Sequence, residues 1–180
     1  MKTARITIFG LLLSSLLSAQ AAFATDTDEL VKIFIGHCVL NAGRIDKTEA
    51  AATALEYEEL SEEMALAFAP QDPNVEFKGW IVRDELSSPY ALGISRSERD
   101  GEEISNCVVS STNVDTEATL SALHVLIQFD EPRFDREEAG QRYRIWGTDH
   151  ITANSFITLI DANKLGIPGG TFSFSAPTEQ

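Results

Sequence analysis

The spacing of apolar residues changes twice along the chain, and the changes divide it into segments. Between Asp28 and Ala42, Leu30, Val31, Phe34, Ile35 and Cys38 recur at i, i+3 and i+4, with Ile33, His37 and Leu40 as a second stripe. That spacing predicts a helix covered on most sides and stopped by Gly43. Asp46 is expected to begin a second helix, with Glu49 three residues later in a capping-box arrangement and an alanine-rich run behind it. Ser61 is placed to cap a shorter third one, in which Leu60, Met64 and Phe68 share a face before Pro70 ends it.

From Val75 the period falls to two. Val75, Phe77 and Ile81 alternate with polar or small residues, as do Tyr90, Leu92 and Ile94, and Ile104 to Val109 is rich in β-branched residues. Asp100-Gly101 supplies a hairpin turn between the second and third runs. Helical spacing then returns: Asp115 caps a helix carrying Leu120, Leu123 and Ile127, which ends near Pro132. Tyr143 to Trp146, Phe156 to Ile160 and Thr171 to Ser175 read as three further strands, with Gly166, Pro168, Gly169 and Gly170 as the turn before the last. Segregated runs of this kind predict an α+β domain. The expected architecture is an antiparallel sheet of five to six strands, covered on one side by the N-terminal helices and one central helix. Two strand triplets around residues 115–130 hint at pseudo-symmetry.

The first residues read as an export signal. Lys2 and Arg5 precede a mostly apolar stretch from Ile6 to Leu17, and Ala22-Phe23-Ala24 fits the A-x-A cleavage pattern. Cleavage after Ala24 leaves residues 25–180 as a single domain, and the expected home is periplasmic or secreted. No other stretch approaches the roughly 20 apolar residues of a spanning helix, so membrane embedding is not expected. The whole chain has a net charge of −14; two of its 14 basic residues and none of its 28 acidic ones lie in the signal. A field of that sign repels phosphate backbones, which excludes nucleic acid as a partner and leaves a cationic protein or a small ligand. The charge also suits simple solubility.

Cys38 and Cys107 are the chain's two cysteines. In an oxidising compartment they permit one intramolecular bond. A Cys38–His37 nucleophile pair is disfavoured because adjacent helical residues do not face each other. Cys-x-x-Cys, H-E-x-x-H, P-loop and G-x-G-x-x-G patterns are absent. Gly93-Ile94-Ser95-Arg96-Ser97 falls short of a nucleophile elbow both in its last residue and in leading into a hairpin. His124, between Leu120, Leu123 and Ile127, and His37 are expected in the core. His150 differs, because Asp149-His150 falls in the expected turn Gly147 to Asn154 with Ser155 nearby, a set that a small hydrolase could combine as a catalytic triad. Asp26-Thr27-Asp28 lacks the glycine turn and distal glutamate of a calcium loop and reads better as helix capping. The cluster Glu56, Glu58, Glu59, Glu62 and Glu63 reads as a solvated helical face, and Trp80 and Trp146 as core. No cofactor or metal is expected.

With "IFIGHCVLNAG", "FKGWIV" and "GEEISNCVVSS" preceding a helix, the chain resembles uncharacterised small exported α+β proteins of proteobacteria over Leu30 to Leu126. The resemblance implies a periplasmic home and a Cys38–Cys107 bond, and it transfers no activity. The expectation drawn from the residues is a non-catalytic binding or interaction protein, with a small hydrolase using His150, Asp149 and Ser155 as the alternative.

Overall fold

The computed structural model describes residues 26–70, 72, 75–83, 88–99 and 101–178; the export signal read over residues 1–24 lies outside them. Helix α1 (residues 26–39) is α-helical to residue 33 and widens into a π-helix over Phe34–Val39. It is followed by α2 (Ile45–Ala54), β1 (Glu58–Glu59), α3 (Glu62–Phe68), β2 (Glu76–Val82), β3 (Tyr90–Arg99) and β4 (Glu102–Ser111). The second half runs α4 (Thr116–Ile127), β5 (Phe134–Glu138), β6 (Gln141–Gly147), β7 (Phe156–Ala162), a 3-10 turn (Asn163–Leu165) and β8 (Ile167–Pro177).

All eight strands join one antiparallel sheet in the order β1-β2-β3-β4-β8-β7-β6-β5, which corrects the expected five to six. Two four-stranded meanders meet where their last strands, β4 and β8, pair antiparallel. The two additional strands lie at the sheet edges and carry almost no pattern. β1 is two residues long, and it takes Glu58 and Glu59 out of the helical face expected for them. β5 reads Phe-Asp-Arg-Glu-Glu and is exposed throughout, so no alternation marks it; its charges blunt an edge that would otherwise invite pairing.

Residues that alternate along the strands build one buried layer. Trp80, Leu92, Val109, Phe172 and Leu159 stand in register across five strands, and Ile94, Cys107, Phe174, Ile157 and Trp146 form the next row. α1, α2 and α4 cover this face. Leu30, Val31, Ile33, Phe34, Cys38 and Val39 are all buried, as expected of a helix apolar on most sides, and the Phe34 ring lies 6.1 Å from that of Phe172. Cys38 is bonded to Cys107, with Cα atoms 5.2 Å apart, so the staple ties α1 to the middle of the sheet. At the start of α1, the buried Asp26 carboxylate accepts hydrogen bonds from the Ser88 amide and from Asn113 Nδ2, and the Tyr90 hydroxyl donates to the Asp26 carbonyl. These bonds fix the helix entry against the β2–β3 and β4–α4 connections.

Local signals held in some places and failed in others. Ser61 Oγ accepts from the Met64 amide, and Asp115 Oδ1 accepts from the amides of Glu117 and Ala118, as N-caps do. α2 starts without a capping box, because Arg44 at the cap position makes no side-chain capping bond, and Glu49 instead pairs with Lys78 at 2.8 Å. Pro168, Gly169 and Gly170 lie inside β8 rather than in a turn, which is provided by the 3-10 segment before Gly166. Helices are not confined to one face. Leu60, leading into α3, occupies the space a Cβ on Gly79 would fill, on the side of β2 opposite Trp80.

The loop closed by the staple has a sequence separation of 69, and its removal frees chain entropy worth about 4 kcal/mol. A Cys38→Ala/Cys107→Ala chain is therefore expected to unfold at lower denaturant than the oxidised parent, by about that free energy in an equilibrium titration; an unchanged midpoint would refute it. The β5–β6 connection is a two-residue turn with positive φ at Ala139 (51°) and Gly140 (84°). An alanine is strained there, whereas asparagine tolerates it. Ala139→Asn should raise stability by about 1 kcal/mol in the same assay.

Candidate functional site

The sheet face away from α1, α2 and α4 is polar along its centre. Phe77, Ser95, Asn106, Ser175, Phe156 and Gly147 stand in one register row across six strands. Period-two alternation places them there: their sequence neighbours Ile94, Cys107, Phe174 and Ile157 point into the core. A groove of about 610 Å³ lies over the middle of this row, from Ser95 to Phe156, within the size range of small-molecule sites. Pro70 and Val75 wall it on the α3 side, Arg99 and Glu102 at the β3–β4 hairpin, and Arg133 with Asp149 at the far side.

Two features shape the floor. Ser175 Oγ donates to Asn106 Oδ1 at 2.9 Å, which orients the amide so that its nitrogen keeps its donor capacity. Ser95 is only 4 % exposed, lines the groove, and makes no side-chain hydrogen bond among the described residues. At the far wall the Arg133 guanidinium lies against Gly147, in space that any Cβ there would occupy, and its Nη2 bonds Asp149 Oδ2 at 2.6 Å. The Arg133 hydrogen bond, aided by the Asn154 amide, holds the Asp149 carboxyl below the usual carboxylate range. Gly147 is thus the residue that permits Arg133 to bend over the sheet.

The three candidate catalytic residues are each engaged separately. His150 Nε2 donates to the Ile127 carbonyl at 2.6 Å; a carbonyl only accepts, so the proton sits on Nε2 and satisfies the last turn of α4. Asp149 is held by Arg133 and Asn154. The buried Ser155 hydroxyl donates to the Thr148 carbonyl and accepts from Thr148 Oγ1, both at 2.8 Å. Asp149 and Ser155 line the groove, whereas His150 does not.

The other histidines divide. His124 is exposed, against its expected place in the core: the buried side of α4 is Thr116, Thr119, Leu123 and Ile127, and His124 lies one position round from Leu123, its ring edge-on to Phe129. It lines a second, wider cleft of about 790 Å³ with Leu120, Phe129, Arg144 and Trp146. His37 is half-buried, with Nε2 3.3 Å from the Tyr57 hydroxyl and Nδ1 buried without a partner. Trp80 and Trp146 are buried, and Glu56, Glu58, Glu59, Glu62 and Glu63 are all exposed. Among the described residues no group of acidic, histidine or cysteine side chains is placed to hold a metal, both cysteines are in the disulfide, and no helix is long and apolar enough to cross a membrane. Sequence reasoning missed the groove, although the serines of "LGISRS" and "FSFS" at alternate positions signalled a polar sheet face.

No family model, curated protein or solved structure matches this chain.

Burial lowers the His37 pKa below its ordinary 6.5, so the fold prefers the neutral ring. Protons then bind the unfolded chain first. The His37 contribution is intact above about pH 6.5 and is lost as pH falls below that value. His37→Gln should flatten the stability profile between pH 7 and 5 in thermal melts; an equal slope in both chains would remove His37 as its cause.

Proposed function

We propose that this protein is an exported, non-catalytic binding protein whose working surface is the sheet face opposite α1, α2 and α4. The observation that carries the reading is the groove: a floor in which the Ser95, Ser173 and Ser175 hydroxyls and the Asn106 amide stand beside Ile104 and Phe156, with Ser95 making no side-chain hydrogen bond among the described residues. A hydroxyl that faces a groove without a protein partner is free to donate to and accept from a ligand. Export rests on the signal read over residues 1–24, and the Cys38–Cys107 bond is compatible with an oxidising compartment. The net charge of −14 leaves a cationic protein as a candidate for the outer surface and a small ligand for the groove. A hydrolase draws no support from His150, whose Nε2 serves α4, or from Ser155, whose proton is committed to Thr148.

Ser97 lines the groove near the β3–β4 hairpin and is half-buried, so Ser97→Trp fills the space at modest cost to the fold. The parent chain is expected to retain a ligand or partner from periplasmic extract at both low and high salt, and Ser97→Trp to lose it. Ester, peptide and glycan substrates should show no turnover. Hydrolysis that disappears in His150→Ala would overturn the reading in favour of the enzyme.

A further inference from the structure

We propose that the groove binds a neutral, polyhydroxylated ligand, an oligosaccharide, with Arg133 as its principal hydrogen-bond donor. The inference rests on the binding reading and adds the ligand class. The lining contains two arginines and two carboxylates, Arg99, Arg133, Glu102 and Asp149, on a chain whose overall charge is −14. The groove is therefore locally balanced on a strongly acidic protein. A cationic ligand would gain more from the surrounding surface than from this spot, and an anionic one would meet the repulsion of the whole field. A ligand without charge meets neither bias.

The floor supplies the chemistry that such a ligand needs. Sugar hydroxyls both donate and accept, and the row offers both: Ser95 Oγ, free of side-chain partners among the described residues, the Asn106 amide nitrogen, left available by the bond its oxygen accepts from Ser175, and the hydroxyl of Ser173 alongside. Phe156, half-buried in the same row, presents an apolar ring of the kind that covers the C–H face of a pyranose. The planar Arg133 fork lies over Gly147 with one nitrogen on Asp149, and its remaining donors serve a ligand in the groove. Asp149, kept ionised by that pair, is an acceptor for a sugar hydroxyl. Water can be displaced from around Arg133 and Asp149 without stranding either charge, because the two are paired with each other.

The probes are cellotetraose, chitotetraose and maltotetraose, with trigalacturonate as the anionic control, the chitosan tetramer as the cationic control and tetra-alanine as a peptide. Each is titrated into the oxidised, isotopically labelled chain and followed by amide chemical shifts. A neutral tetrasaccharide is expected to move the amides of Ser95, Asn106, Phe156 and Ser175 saturably, ahead of either charged sugar. Arg133→Ala, a change at an exposed side chain, should weaken that binding about tenfold, since a hydrogen bond from a charged donor is lost. Gly147→Ala should do the same by displacing the guanidinium with Arg133 itself still present. The proposal is overturned if no neutral sugar moves these amides at millimolar concentration, if a charged sugar binds better, or if both variants bind as the parent does. Saturable binding of tetra-alanine alone at the same amides would sink the oligosaccharide and leave the binding reading standing. Silence from all probes, together with unchanged retention by Ser97→Trp, would sink both.

Discussion

The backbone of β4 has two edges, and β3 fills one of them through an ordinary hairpin. The other is filled by β8, a strand that follows a helix and a second meander, so this single pairing joins the two halves of the sheet. Across it stand Cys107 opposite Phe174 and Val109 opposite Phe172, and Phe34 of α1 packs on Phe172. The disulfide fixes α1 to the strand on one side of this junction. Helix cover, core rows and the register of the opposite face all follow from it, because a one-residue slip would turn every alternate side chain to the wrong side.

The groove is a by-product of that register. Each core residue at the junction has a neighbour that must face the other way, and on β3, β4 and β8 those neighbours include Ser95, Asn106, Ser173 and Ser175. The opposite face is only partly roofed, by Leu60 and α3 at one margin and by the Arg133–Asp149 pair at the other. What lies between is the polar row Ser95, Asn106 and Ser175. A rigid strand floor positions hydrogen-bonding groups better than a loop does, and in this molecule the loops contribute walls rather than floor.

Much of this was legible in the pattern of the chain. The period-two runs located all six inner strands, the helical runs located α1 and α4, and the cysteine pair was readable from count and compartment. What failed were positions where backbone pairing replaced side-chain pattern. β5 has charge on both faces, and its hairpin is built on Ala139-Gly140, without the asparagine that signals such a turn. Glu58 and Glu59 looked helical by spacing, yet two backbone pairs to Ile81 and Trp80 hold them extended. His124 was misplaced because apolar residues surround the whole of α4, including the exposed Val125 and Leu126, so spacing alone did not say which side faced the sheet. The groove was invisible for a different reason: its floor residues lie far apart in sequence and meet only through the β4–β8 junction.

The junction also leaves one order of assembly open to the chain. In any synthesis or transport that proceeds from the amino end, Cys38 and Cys107 are both available while β8 is still to come. Oxidation can clamp α1 onto a half-built sheet whose β4 margin stands bare. A second meander that arrives after oxidation docks on a template that is already cross-linked, and until it does the bare margin is an open strand edge of the kind that invites pairing with other chains.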